Sequence, residues 1–64
     1  MKGDKEKLRV IYIIDYASPR LRDSIYGREL KMMRLKYIYK DIGNNEYQND
    51  MEYLKNIIKM IKNN

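Results

Sequence analysis

The chain has 64 residues, fourteen Lys/Arg against nine Asp/Glu for a net charge of +5, and neither Cys nor His. That length confines it to one small domain, which buries only about 60% of its unfolded surface and has no disulfide or zinc site to reinforce it. The missing residues also exclude histidine-based acid–base or nucleophile chemistry, and no Asp-rich loop with calcium spacing occurs, so no metal and no cofactor is expected.

Residues 1–6 are polar and are expected to fray, which leaves 7–63 as the structured part of a single domain. The start, MKGDKEK, mixes both signs of charge and lacks the cleavage pattern of a secretory signal. The longest apolar run, VIYIIDYA, is interrupted by Asp15 and is too short to span a bilayer. A soluble, intracellular chain of the cytoplasm with no membrane contact is the expectation.

LRVIYIIDYA, Leu8 to Ala17, is rich in β-branched and aromatic residues and apolar on both faces at its centre, which predicts a doubly buried strand. In SPRLRD, Ser18 before Pro19 has the form of a helix start, and Asp23 or Ser24 offers a later cap. The following helix places Leu21, Ile25 and Met32 on one stripe, with Tyr26, Leu30 and Met33 beside it. Gly27 weakens its interior by roughly 1 kcal/mol relative to Ala. LKYIYK, Leu35 to Lys40, alternates with period two and predicts a second strand. Helical spacing from Leu30 through Met33 to Tyr37 supports an alternative, one long helix over 19–42 capped at Gly43-Asn44. In the last segment Asn49 and Glu52 stand in capping-box spacing. Met51, Leu54, Ile57, Ile58 and Ile61 then form the stripe of an amphipathic helix, a core or partner-docking face.

The resulting expectation is an α/β fold, a βαβα unit with a small parallel sheet flanked by helices; the alternative is mainly α with one N-terminal strand. Two parallel strands make a poor sheet, so a partner chain or a larger ancestor is implied. Charge is uneven: residues 1–40 hold eleven Lys/Arg against five Asp/Glu, and 41–64 hold three against four. Arg20, Arg22, Arg28, Lys31, Arg34, Lys36 and Lys40 are the densest basic stretch, which makes DNA or another polyanion a reasonable partner and an ordinary solvated surface the plainer reading. Asp15 and Asp41 read most simply as capping, ion-pairing or strand-end residues, and the seven tyrosines as core and half-exposed positions.

Three stretches together resemble the serine recombinases of the resolvase/invertase family, over about residues 9–61 and the first half of that family's catalytic domain. RVIYIIDYAS resembles the first strand and nucleophile loop, SPRLRDSIYGREL the next loop and helix, and YIYKDIGNNEYQNDMEYLKNIIKMI the following strand, loop and helix. The resemblance implies DNA strand exchange through a phosphoserine, with clustered arginines neutralising the phosphate. It implies Ser18 as a displaced nucleophile; separately, the basic stretch offers Arg20, Arg22, Arg28, Arg34 and Lys40 as phosphate-binding residues, with solubility as the plainer reading. The chain departs from the family at Ile14 and Tyr16, in the arginine and serine places, and at Asn44, Asn45 and Asn49 or Asp50 in the mobile loop. The expected function is therefore a truncated, degenerate recombinase-like domain without catalysis that retains DNA binding. The alternatives are a small basic DNA-binding or regulatory protein, oligomeric through its C-terminal helix, or an interaction module that docks on a related recombinase by adding a strand.

Overall fold

Val10, Ile14, Ala17 and Leu21 follow one another at steps of four, three and four, the spacing of one helical face. The computed structural model describes residues 3–63 and places the first three of these in the core, with Leu21 half-buried. The segment expected as the first strand is thus the body of a helix, α1, Asp4–Ala17. Residues 4–6, expected to fray, form its first turn, where Asp4 and Glu6 suit the positive end of the helix dipole; residues 1 and 2 lie outside the described segment. Val and Ile cost a helix only a few tenths of a kcal/mol each relative to better helix formers. A lone strand would leave its backbone groups unpaired, whereas a helix satisfies them internally.

A 3₁₀ turn, Ser18–Leu21, follows directly, with Pro19 at its start. Ser18 therefore closes α1 and opens this turn; the cap of the next helix is Ser24. Ser24 Oγ donates to the Leu21 carbonyl (2.8 Å) and accepts from the Gly27 amide (3.4 Å), joining the turn to α2, Ile25–Tyr39. Gly27 is buried against the turn. A Cβ built there would lie 2.5 Å from the Leu21 carbonyl oxygen and 3.1 Å from that of Arg22, so the close approach requires glycine.

The second expected strand, Leu35 to Lys40, is the last turn of α2 and its C-cap. Leu30 and Tyr37 are buried and Met33 packs beside them, so helical rather than alternating spacing governs this stretch. The Lys40–Gly43 connection is pinned by Ile42, which is fully buried. From Gly43, its N-cap, the chain enters α3, Asn44–Lys62. Asn49 and Glu52 lie inside this helix, which begins five residues before the expected box because Tyr47 extends the buried face one turn or more N-terminal to Leu54.

The α/β expectation is thereby overturned: among the described residues there are three α-helices, one 3₁₀ turn and no strand. The mainly helical alternative fits, except that its N-terminal strand is also helix. Its helix over 19–42 is broken at Arg22–Ser24 and ends at Tyr39. The three stretches that resemble recombinases lie on α1, on the turn with α2, and on the α2–α3 corner, so the strand–helix order behind that resemblance is absent here. Docking by strand addition loses its basis for the same reason.

The helices form an elongated up–down–up bundle, 34 × 18 × 16 Å. The Asp15–Arg34 ion pair (3.0 Å) and the bond from Lys7 Nζ to the Lys40 carbonyl (3.1 Å) set α1 and α2 antiparallel. Tyr53 OH to Glu29 (2.7 Å) and Tyr37 OH to Asp50 (2.8 Å) do the same for α2 and α3. The core is nine apolar residues drawn from all three helices and the Ile42 corner.

Candidate interaction face

Among the described residues eight large apolar side chains are exposed, and every one is on α1 or α2: Leu8, Tyr12, Tyr16, Ile25, Met32, Leu35, Ile38 and Tyr39. The nineteen-residue α3 has none, although it is built from the same residue types. Single exposed hydrophobes are ordinary; alignment along neighbouring helices is the informative feature. On α1 the residues stand at i, i+4 and i+8, a straight stripe. On α2, Ile25, Met32, Leu35 and Tyr39 recur at steps of seven, three and four. Tyr39 is 80%, Tyr12 72%, Ile25 68% and Met32 66% exposed, so these are side chains facing water rather than core residues with a visible edge.

Of the stripe expected to join Leu21, Ile25 and Met32, the last two are therefore on the outer face of α2 while Leu21 packs against the core. Tyr26, Leu30 and Met33, a third of a turn away, face the bundle. Leu8, Tyr12 and Tyr16 gave α1 its apparent second apolar face. Apolar residues all round a helix, with only one side buried in the fold, is the signal from which the exposed stripe was recoverable.

Charge accompanies the apolar stripes. Residues 4–40 hold ten Lys/Arg against five Asp/Glu, whereas α3 is balanced at three each. Ser18, Arg22 and Arg28 come together with Lys31 around one open groove between the 3₁₀ turn and α2, which Asp15 and Asp23 also line. The other anticipated phosphate ligands are elsewhere. Arg20 lies over the Tyr16 ring, 4.0 Å from its centroid, and donates to the Tyr16 carbonyl. Arg34 is paired with Asp15. Lys40 is at the far end of α2, about 18 Å along the axis from Arg28 at 1.5 Å per residue. Ser18 is half-buried and its hydroxyl makes no hydrogen bond among the described residues; of the two carboxylates that line its groove, Asp15 is held by Arg34.

The flank of α2 that meets α3 is committed to the fold. Lys36 Nζ meets Asp50 at 2.8 Å and Glu46 at 2.9 Å, and Tyr37 OH donates to the same Asp50 oxygen. Burial depresses the Lys36 ammonium, but its two carboxylate partners outweigh that and hold its pKa above the ordinary lysine value. Burial, then the bond to Asp50, pushes the Tyr37 phenol well up; burial and Glu29 do the same for Tyr53. Asp50 is thus the main polar tie between α2 and α3. No helix among the described residues is long and apolar enough to cross a membrane.

Comparison of the chain with protein-family models, with curated protein sequences and with solved structures gives no significant match in any of the three.

Proposed function

We propose that this chain is a protein-interaction module, a small helical bundle that docks on a partner through the outer face of α1 and α2. The observation that carries the reading is that, among the described residues, all eight exposed large apolar side chains are on those two helices, with α3 left to close the core. Burying such a face gains about 25 cal/mol for each Å² of apolar surface removed from water. The docking elements are the helices themselves, so binding needs no rearrangement of the bundle.

The test is affinity capture from a nuclease-treated extract of the native host, with the wild-type chain and a Met32→Ser/Leu35→Ser variant of equal helicity. The reading predicts a stoichiometric protein held by the wild type and lost by the variant. A captured set that the variant leaves unchanged contradicts it. A second reading, DNA binding by a small basic regulatory protein, is favoured by the gathering of Arg22, Arg28 and Lys31 around one groove. It predicts duplex binding that weakens steeply with salt and is lost on neutralising those three residues.

A further inference from the structure

We infer that the occupant of the α2 face is an amphipathic helix of another protein that carries carboxylates beside its apolar seam; this rests on the docking reading and names its partner class. The steps of seven, three and four from Ile25 to Tyr39 are those by which one helix meets another in knobs-into-holes packing. Arg28 takes the seam's remaining position, three after Ile25 and four before Met32, and Lys31 flanks it; both are exposed. Neither forms an ion pair among the described residues, where the pairs are Arg34–Asp15, Lys36–Glu46 and Lys36–Asp50. A wholly apolar partner would bury the guanidinium unpaired, at a cost that cancels the gain from the seam. The occupant therefore supplies a carboxylate opposite Arg28.

A second copy of this chain does not meet that requirement. The one acidic residue of α2, Glu29, accepts from Tyr53 OH; on α1 Asp15 is held by Arg34, and Asp4 and Glu6 stand in the first turn, ahead of the Leu8–Tyr16 stripe rather than along it. Two such faces apposed would also set like charge against like charge. An anionic membrane is a poorer fit, because surface-bound helices keep their basic residues off the apolar stripe and Arg28 is within it. Duplex DNA would meet Arg28 and Lys31 but leave Met32, Leu35 and Tyr39 without a counterpart.

The test uses the full chain and two labelled synthetic helical peptides with the same leucine seam, flanked by glutamates in one and lysines in the other. Fluorescence anisotropy is expected to show the glutamate peptide binding at least about tenfold more tightly, with Arg28→Glu/Lys31→Glu reversing the order. Equal binding of the two peptides, an order that the charge reversal leaves unchanged, or binding of neither overturns the acidic partner. So does tighter binding to phosphatidylglycerol vesicles or to duplex DNA, or a dimer in sedimentation that Leu35→Ser dissolves. Charge-blind binding lost in Met32→Ser/Leu35→Ser would leave the docking reading standing; peptide binding that this variant does not alter would remove the docking reading itself.

Discussion

Gly27→Ala places a methyl group where the backbone of the 3₁₀ turn already sits. The new Cβ would stand 2.5 Å from the Leu21 carbonyl oxygen, against the 3.4 Å or more of an ordinary contact. The turn and α2 must separate by about 0.9 Å, which a close-packed corner resists. Overpacking of this kind costs about 1–3 kcal/mol. The carbonyl that must move is the one accepting from Ser24 Oγ, so roughly 1 kcal/mol of cap is lost with it. Against these stands about 1 kcal/mol gained by replacing glycine with alanine in a helix. The net expectation is destabilisation by about 1–3 kcal/mol, or roughly 5–20 °C in melting temperature for a domain of this size. Thermal unfolding followed by circular dichroism at 222 nm measures it. Helix propensity alone predicts the opposite sign, so a variant as stable as the wild type, or more so, would refute the close approach at this corner.

Tyr37 and Lys36 predict a loss of stability in alkali. Below about pH 9 both are protonated whether folded or unfolded, and their contribution is complete. Above it the unfolded chain releases protons that the folded chain retains, since both pKa values are raised on folding, so stability falls as pH rises. Urea midpoints measured from pH 9 to 11.5 should decline, more shallowly in Tyr37→Phe/Tyr53→Phe; a flat wild-type profile would contradict the assignment. Leu54→Ala, at a fully buried site, should cost about 2–5 kcal/mol, a large share of the roughly 3–10 kcal/mol such a chain commands, and is expected to unfold it near room temperature. Met32→Glu and Leu35→Glu should each change stability by no more than about 0.5 kcal/mol by the same denaturation assay, because their side chains face water.

The C-terminal helix was the most legible element, because Leu54, Ile57 and their neighbours have polar residues opposite them and one stripe to bury. Its start was hidden: Asn44 and Asn45 look like turn residues, and the buried Tyr47 behind them is what extends the helix. Ser24 was readable as a cap for a simple reason, a short hydroxyl ahead of an apolar-periodic run. The N-terminal helix was misread as a strand because two apolar stripes, Val10–Ile14–Ala17 and Leu8–Tyr12–Tyr16, wrap one short segment and erase the polar face by which a helix is recognised. Leu35 to Lys40 alternates and also keeps helical step with Leu30; burial of Tyr37 decided between the two periods. The exposed apolar residues of α1 and α2 were present as residues but not as a face. Ile25 and Met32 look identical to core residues until Leu30 and Tyr37 are seen to be buried in their place. Helical spacing sets Arg20, Arg28 and Lys31 on one side; Arg28 and Lys31 do line one groove, whereas Arg20 folds back on Tyr16 four residues earlier and Arg34 pairs with Asp15 of α1.

The account stands on an all-helical bundle whose outer α1–α2 face is apolar and open to water. Paramagnetic relaxation of assigned side-chain NMR signals by a soluble gadolinium chelate tests both parts at once. The account predicts helical chemical shifts through 8–17 and 35–39, with strong broadening of Leu8, Ile25, Met32 and Leu35 and protection of Val10, Leu30, Leu54 and Ile57. Strand-like shifts in either segment, or protection of Met32 and Leu35 in the isolated chain, would contradict it.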